Sequence, residues 1–289
     1  MQMGRQERSK MKVSVIIPTY NRNISKCLEG ITKQNFDEYE VIVVNDGGDG
    51  VTRRLKDHYK QVQFVEAPHK GPAHAKNVGI KLAKGKYVVF IGDDIITGKM
   101  FVKSHFDFLE AHKGCASAGA TMFHPETNNA LIFPTLHKLG LGNFTTPTPE
   151  DCGWWSFTTS NVGVPRSYLK ELFDEKFPYP AFEDNELGYR LYKVGLVLKY
   201  NPLAVAYHYH IYNKQIINQR MSEMGSSIAY FTHKHPELRR FYIKSPFTYL
   251  AMHIAQLCPF AGIYKDLSDY ALRKYYAYRQ AKEHFEFKG

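Results

Sequence analysis

The chain has 289 residues, of which 44% are hydrophobic and 23% charged, a composition that is typical of a packed globular protein and excludes a disordered chain. The formal net charge of +10 favours an anionic partner, such as nucleic acid, an acidic membrane surface or a phosphorylated substrate. Four cysteines lie far apart without a C-x-x-C pair, so we expect neither a disulfide framework nor a cysteine zinc site, and a reducing cytosol fits best.

The beginning of the chain indicates no export signal. Residues 1–11 carry basic side chains but no apolar stretch, so we expect a flexible basic leader rather than a secretory signal. A later apolar stretch over 249–263 is too short to cross a bilayer and contains polar residues. These features predict a cytoplasmic protein without a transmembrane span.

Buried strands and helices alternate over the first third of the chain. A β-branched run from Val13 to Ile17 predicts a strand that Pro18 ends, and apolar residues at helical spacing predict a helix over 23–34 with Asn23 as its N-cap. The pattern continues with strands over 39–44, 62–65 and 87–91 and helices over 51–59 and 71–84. This alternation predicts a mostly parallel sheet that helices cover on both faces.

Polar residues follow three of these strands, where ligands bind in open sheets of this kind. The pair Asp93 and Asp94 offers hard oxygen ligands for Mg²⁺ or Mn²⁺, which bridge phosphate oxygens, although a simple turn is the alternative. Tyr20 could stack a nucleobase and Asp46 could accept a hydrogen bond from one. An ordinary turn aspartate and a half-buried ring are the alternatives for these two residues.

The middle of the chain, residues 121–159, has poor periodicity and is rich in Thr, Pro, Asn and Gly. We interpret it as loops and short strands that shape a pocket wall. Trp154 and Trp155 near its end could stack an acceptor sugar or fill the core.

A further helix is predicted over 183–194, and its first residues are acidic. Glu183 and Asp184 could serve as stabilising charges at a helix N-terminus, or one of them could be a general base for an acceptor hydroxyl. Two strands, over 197–200 and 203–207, then lead to His208. Its imidazole could ligate Mn²⁺ or be an ordinary satisfied polar group, and His210 is a weaker candidate.

The last part of the chain, residues 211–289, predicts helices rich in aromatic and basic residues. It could lie on an anionic membrane where lipid-linked acceptors reside. The alternative is an amphipathic helical pair that caps the preceding domain or forms a homodimer.

Six segments together resemble the family-2 glycosyltransferases, which have the GT-A fold, and the resemblance covers residues 13–210. The segments are VSVIIPTYNR (Val13–Arg22), VIVVNDGGDG (Val41–Gly50), GPAHAKNVGIKLAKGKYVVFIGDD (Gly71–Asp94), TTSNVGVPR (Thr158–Arg166), FEDNELGYRLYKVG (Phe182–Gly195) and AVAYHYH (Ala204–His210). The resemblance implies a three-layer α/β/α catalytic domain over 12–210, followed by a C-terminal helical extension over 211–289.

The resemblance also assigns roles to residues. The nucleotide would contact residues from three strand ends and the third helix: Pro18, Thr19, Tyr20, Asp46, Lys76 and Asp93. Asp94 and His208 would hold Mn²⁺ or Mg²⁺, and Asp184 would be the catalytic base with Glu183 supporting it.

Three positions depart from the family pattern. Gly92 stands where an aspartate is common, Asn45 also replaces an aspartate, and Lys76 replaces an arginine. The first departure affects a predicted ribose contact, whereas Asp94 keeps the position that usually ligates the metal. The other two keep a polar group but alter hydrogen-bond geometry.

The implied function is inverting transfer of a hexosyl or N-acetylhexosaminyl group from a nucleotide-sugar, expected to be a UDP-sugar, to a saccharide or lipid-linked acceptor. Such a protein would be cytoplasmic or peripheral on the inner face of the membrane. A nucleotidyltransferase would normally have a glycine-rich basic loop after its first strand, which PTYNR lacks. A non-catalytic nucleotide- or nucleic-acid-binding module is the alternative, but the basic residues are dispersed and no nucleic-acid motif is present, so no nucleic acid is expected.

Overall fold

The computed structural model describes residues 11–48, 50–127, 152–243, 248–249, 252 and 263–286. These residues form two compact units. The first comprises residues 11–48, 50–122, 152–173 and 187–209, and the second comprises residues 123–127, 174–186, 210–243, 248–249, 252 and 263–286. The predicted leader lies almost entirely outside the described residues, as do most of 121–159 and most of the apolar stretch over 249–263. The predicted division at residue 210 stays a proposal.

An eight-stranded sheet forms the centre of the first unit. Its strands are β1 (Val13–Thr19), β2 (Tyr39–Asp46), β3 (Val62–Ala67), β4 (Tyr87–Ile91), β5 (Ile95–Thr97), β6 (Cys115–Phe123), β7 (Asn161–Pro165) and β8 (Val197–His208). Their order across the sheet is β3-β2-β1-β4-β7-β6-β8-β5. The first four of that order pair in parallel, whereas β7 pairs antiparallel with β4 and β6, and β5 pairs antiparallel with β8.

Among the described residues, four α-helices follow strands of the first unit, and four more with described bounds come later in the chain. The former are α1 (Ser25–Ile31), α2 (Val51–Lys56), α3 (Pro72–Leu82) and α4 (Phe101–Ala111), and the latter are α5 (Glu183–Lys193), α6 (Lys214–Lys234), α7 (Arg239–Tyr242) and α8 (Ile263–Glu286). No described helix has both the length and the apolar character that a bilayer span needs.

Side chains of the central strands alternate between two buried clusters, because successive residues of a strand point to opposite faces. Ile16 and Phe90 pack in one cluster with α3, and Val15 and Val89 pack in the other with α1 and α4. Helices therefore cover both faces of the sheet. The predicted three-layer α/β/α fold with a C-terminal helical part is confirmed.

Some predicted boundaries differ from those in the structure. Asn23 is not the N-cap residue of α1; its Oδ1 instead accepts hydrogen bonds from the backbone N and Oγ of Ser25, where the helix begins. The helix predicted over 71–84 is α3, which begins at Pro72 and stops at Leu82. A Cβ at Gly85 would lie 2.6 Å from the backbone N of Ser14, so the glycine is required by its close approach to β1.

The two strands predicted over 197–200 and 203–207 are one strand, β8. Pro202 lies between the two predicted segments, and proline cannot donate a ladder hydrogen bond. It lies outside the part of β8 that pairs with β5, which runs from Ala206 to His208, and the strand continues through it.

Two long helices, α6 and α8, form the core of the second unit. Ile217 and Met221 of α6 pack with Tyr270 of α8. The two backbones approach so closely at Gly225 that a Cβ there would lie 2.1 Å from the carbonyl oxygen of Lys274. A glycine at this position therefore permits the helix pair.

Candidate active site

An acidic pair follows β4 at the carboxyl edge of the parallel strands. Thr19, the last residue of the neighbouring β1, donates a hydrogen bond from Oγ1 to Asp93 Oδ2 at 2.8 Å. Arg22 donates from Nη1 to Asp93 Oδ1 at 3.0 Å and from the same nitrogen to Asp94 Oδ2. One guanidinium group thus joins the two carboxylates.

The turn after β1 brings Arg22 to this place. Asn21 has a φ of 48°, a left-handed conformation that asparagine tolerates better than most residues. The chain bends there before α1 begins at Ser25. The side chain of Arg22 is 39% exposed, whereas those of Asp93 and Asp94 are each 16% exposed. The arginine therefore covers the carboxylates from the solvent side.

His208 reaches the same carboxylate from the other half of the sheet. It is the last residue of β8 and pairs with Ile95, which directly follows Asp94. Its Nε2 lies 3.2 Å from Asp94 Oδ2, and the backbone N of Tyr209 donates to the carbonyl oxygen of Asp94 at 2.8 Å. The structure therefore brings together the two residues that the sequence predicted as metal ligands.

These two side chains are suited to a divalent cation. A carboxylate oxygen and an imidazole nitrogen form a donor set that Mn²⁺ accepts, and Mg²⁺ prefers the oxygen. Burial is the main cause that raises the pKa of the Asp93 carboxyl to about 6; the charge of Arg22 opposes this shift, and the charge of Asp94 contributes to it. The site thus concentrates negative charge in a place with little water.

The Asp46 carboxylate at the end of β2 is engaged by the loop before α3. It accepts hydrogen bonds from the backbone N of Lys70 and Gly71, each at 2.9 Å, and His69 Nδ1 lies 2.9 Å from it. Its side chain is 5% exposed. The ring of Tyr20 stacks on His69 with the centroids 4.2 Å apart, and Tyr20 is 46% exposed. Asp46 therefore braces His69, on which Tyr20 stacks, and both rings are partly exposed to solvent.

Lys76 lies inside the first unit rather than on its surface. The residue is 1% exposed, its Nζ donates to Thr159 Oγ1 at 3.0 Å and also lies 4.6 Å from the centre of the Phe173 ring. Pro18 precedes Thr19 in β1 and is partly buried. The nucleotide contacts predicted for these residues, like the one predicted for Asp46, stay predictions.

Glu183 and Asp184 form the first turn of α5 and belong to the second unit. Phe182 just before them has a φ of 68°, which is a strained conformation for a bulky residue and one that occurs at functional sites. The carboxylate of the fully buried Glu186 forms an ion pair with Lys234 Nζ at 2.8 Å and lies 3.1 Å from His235 Nε2. The end of α6 thus anchors the acidic turn. The catalytic role of Asp184 stays a prediction.

The two tryptophans differ in their surroundings. Trp154 is buried and packs edge to face on Tyr189, with the ring centroids 4.9 Å apart. Trp155 is 47% exposed and lines a cavity of about 230 Å³ with Tyr192 and Gly188. Trp154 fills the core, whereas a contact of Trp155 with an acceptor stays a prediction.

Sequence reasoning missed two residues that the structure places in this region, Arg22 and His69. Arg22 was part of a resembling segment but received no role. The signal for it was a cation three residues after a strand whose neighbour ends in an acidic pair. His69 carried no signal, because its contact with Asp46 depends on how two loops meet.

Comparisons with known proteins agree with this arrangement. The sequence matches the model of glycosyl transferase family 2 over residues 14–173. A validoxylamine A glucosyltransferase from Streptomyces hygroscopicus is 26% identical over 267 residues, which cover 78% of this chain and 57% of that protein. The poly(ribitol-phosphate) beta-N-acetylglucosaminyltransferase TarS from Staphylococcus aureus is 34% identical over 111 residues, which cover 35% of this chain and 19% of that protein. The chain thus spans less than two thirds of the length of these relatives.

Solved structures resemble the whole fold at low sequence identity. The mannosyltransferase PcManGT from Pyrobaculum calidifontis, in complex with GDP-Man and Mn²⁺, has a TM-score of 0.62 at 16% identity and covers 94% of this chain and 88% of its own. TarS residues 1–349 from S. aureus, in complex with UDP, has a TM-score of 0.55 at 18% identity, covering 96% and 92%. The fold is that of the GT-A glycosyltransferases. With the match over more than half of its length, the chain belongs to glycosyl transferase family 2.

Proposed function

We propose that this protein is an inverting, divalent-metal-dependent glycosyltransferase. It would move a hexosyl or N-acetylhexosaminyl group from a nucleoside-diphosphate donor, expected to be a UDP-sugar, to a hydroxyl group of a saccharide or lipid-linked acceptor in the synthesis of cell-surface polysaccharide or glycan. One observation carries the proposal: the ends of β1, β4 and β8 bring Arg22, the Asp93-Asp94 pair and His208 into contact at the carboxyl edge of the sheet.

The relatives support a nucleotide-sugar donor. By their names, two of them transfer a glucosyl and an N-acetylglucosaminyl group, and the solved structures hold GDP-Man with Mn²⁺, UDP, or UDP-GlcNAc. These ligands share a diphosphate. An acidic pair that binds a divalent cation is a suitable partner for a diphosphate, because the cation bridges the two sets of oxygens.

Asp94 and His208 would hold the cation, Mn²⁺ or Mg²⁺. When bound, it would offset the negative charge that develops on the departing diphosphate. Asp93 would contact the ribose, and its hydrogen bond from Thr19 would keep its carboxylate oriented. Tyr20 would offer its exposed face to the nucleobase, and His69 would support the ring from behind. Asp46 would contribute by holding His69 in place.

Asp184 would act as the general base, with Glu183 supporting it. In an inverting transfer the acceptor hydroxyl attacks the anomeric carbon while its proton passes to the carboxylate. The bond from that carbon to the diphosphate breaks in the same step, and the electron pair leaves with the nucleoside diphosphate. The buried contacts of Glu186 with Lys234 and His235 would hold the first turn of α5 in one position during this step.

The donor is best identified by thermal stabilisation, since a ligand that binds only the folded state raises the melting temperature. UDP-, GDP-, CDP- and dTDP-sugars would be tested with and without Mn²⁺. We expect a response that depends on Mn²⁺ for one nucleotide, and the absence of any response would refute the proposal. Release of the nucleoside diphosphate and the anomeric configuration of the product by NMR would then establish transfer and inversion.

The role of Asp184 is tested by a single substitution. Asp184→Asn removes the base but keeps the size of the side chain, so we expect transfer to be nearly abolished while donor binding is retained. Asp57→Asn is the matched control, because Asp57 is an exposed residue of the first unit. Unchanged turnover of the Asp184→Asn protein would refute the assignment of Asp184 as the general base.

We also propose a cytoplasmic location with peripheral contact to the inner face of the membrane through residues 211–289. Support comes from the excess of lysine and arginine and the aromatic residues in that segment. Sedimentation with vesicles of anionic and of neutral lipids tests the contact. Mass measurement in solution tests the alternative, a homodimer.

A further inference from the structure

We propose that Arg22 is a displaceable counter-ion of the Asp93-Asp94 pair. In the absence of donor it partly offsets the charge of the two carboxylates, and it moves from Asp94 to the phosphates of the donor when a divalent cation binds. The inference rests on the metal-dependent function proposed above. It adds a residue that couples the binding of the cation to the binding of the nucleotide.

The first argument is competition for one oxygen atom. Asp94 Oδ2 accepts the hydrogen bond from Arg22 Nη1 and lies 3.2 Å from Nε2 of His208. A cation that Asp94 and His208 hold together would use the lone pairs of the same carboxylate. A guanidinium group in contact with that oxygen would then face a divalent positive charge at short range, which is strongly unfavourable. We therefore expect the arginine to separate from Asp94 when the cation binds.

The second argument is that the arginine can leave without opening the core. Its side chain is more than twice as exposed as the two carboxylates that it covers. Both of its hydrogen bonds within the described part of the chain go to these carboxylates, and both come from Nη1. Nε and Nη2 are thus left to form the two-pronged contact by which guanidinium groups bind phosphate.

The third argument concerns charge balance. Without a ligand, the two partly buried carboxylates would repel each other and lack a counter-charge, and Arg22 supplies one. A metal-bound donor brings a cation for the carboxylates and an anionic diphosphate for the arginine. Each partner of the original contact thereby gains a new partner of opposite charge. The cation and the nucleotide should consequently strengthen each other's binding, and the effect must be reciprocal.

The experiment measures Mn²⁺ binding directly, by the loss of the free Mn²⁺ signal in electron paramagnetic resonance, with UDP, with GDP and without nucleotide. Wild type, Arg22→Gln and Arg22→Lys are compared. Arg273→Gln is the matched control, since it removes the same charge from an exposed i,i+4 pair with Asp269 in α8. Thermal melting of each variant establishes that it is folded.

We expect wild type to bind Mn²⁺ weakly alone and more tightly with the nucleotide, by a factor within the roughly 5- to 150-fold range of linked sites. Arg22→Gln should bind Mn²⁺ alone roughly tenfold more tightly than wild type, and nucleotide should add much less. The Mn²⁺ affinity of Arg22→Lys should lie between those of the other two proteins, because an ammonium group keeps the positive charge but lacks the paired N–H donors of a guanidinium group. The control should match wild type.

Equal or weaker Mn²⁺ binding by Arg22→Gln in the absence of nucleotide overturns the inference. If Arg22→Gln does not fold, the same comparison is made with Arg22→Lys, and an affinity equal to that of wild type then overturns it. A different result separates the two proposals: if no protein binds Mn²⁺ even with nucleotide, the metal-dependent function itself fails. Tight Mn²⁺ binding with the same nucleotide coupling in all variants leaves that function standing and removes only the role of Arg22.

Discussion

His105 should make the protein sensitive to mild acid. This histidine of α4 is fully buried, with Nδ1 2.9 Å from Ser117 Oγ and Nε2 2.9 Å from Asn161 Oδ1. Burial lowers its pKa from 6.5 to about 4, against a smaller opposite effect of the hydrogen bond with Asn161. In the unfolded chain the ring takes up a proton near pH 6.5, whereas in the folded protein it does so only near pH 4. The unfolded state therefore binds more protons across this window, and stability falls as the pH falls.

The size of the effect follows from the two pKa values. At about 1.4 kcal/mol per pKa unit, the shift corresponds to a loss of about 3 kcal/mol between pH 7.5 and pH 4. Protonation of Asp93 increases stability as the pH falls over part of this window, because its raised pKa makes the folded state bind more protons than the unfolded state. The comparison must therefore be a difference between wild type and His105→Gln, in which only the histidine is removed.

Urea unfolding at several pH values between 4 and 7.5 measures that difference. With a slope near 3 kcal/mol per molar urea, the wild-type midpoint should fall by about 1 M more than the midpoint of His105→Gln. The variant is expected to be less stable than wild type at pH 7.5, because its hydrogen bonds in the core change, but its pH dependence should be flatter. Parallel pH profiles for the two proteins would refute the assignment of the acid sensitivity to His105.

Three further substitutions test other contacts. Gly79→Ala should lower the free energy of unfolding by about 1–3 kcal/mol, because its Cβ would lie 2.5 Å from a β1 side chain. Gly98→Ala is the control and should change that free energy little, because a Cβ there would have nothing within 4 Å. Equal urea midpoints for the two variants would contradict this prediction. Lys234→Met should lower the free energy of unfolding by about 2 kcal/mol, because it removes a charged partner of the buried Glu186. Lys234→Arg keeps that charge and should lower the free energy of unfolding less in the same assay. Tyr20→Ala should weaken nucleotide binding roughly tenfold in a fluorescence titration while Tyr20→Phe keeps it, and equal weakening would exclude ring stacking.

Much of the parallel half of the sheet follows from local patterns in the sequence. The runs that form β1, β2 and β4 are continuous and apolar, since both faces of these strands are buried, and a turn residue follows each of them. Strand ends of a parallel sheet lie at one edge, so the positions of Thr19 and Asp93 near each other could be expected from topology alone. The position of the acidic pair at this edge, beside Thr19, was predictable for the same reason.

Of the other half of the sheet, β8 was predicted as two strands, whereas β5, β6 and β7 were not predicted, and neither was α4. β7 is five residues long and contains Asn161, whose side chain donates to Thr121 Oγ1 and to the carbonyl oxygen of Ala204. In the sequence alone, a polar residue of this kind indicates a loop. Asn161 can be a buried strand residue only because its side chain finds hydrogen-bond partners in β6 and β8. Contacts that depend on distant segments, such as the one between Arg22 and Asp94, leave no periodic signal.

The second unit is built from chain segments that are far apart in sequence, and this limits how the protein can be shortened. Residues 174–186 pack with helices that come about fifty residues later, and Tyr230 and Lys234 of α6 both bind Asp174. A protein cut after residue 210 would keep the acidic turn but lose these partners, and the carboxylate of Glu186 would be left without the lysine that compensates its charge. The helical part is therefore not a detachable module, and exchange of this part between relatives would have to carry residues 174–186 with it.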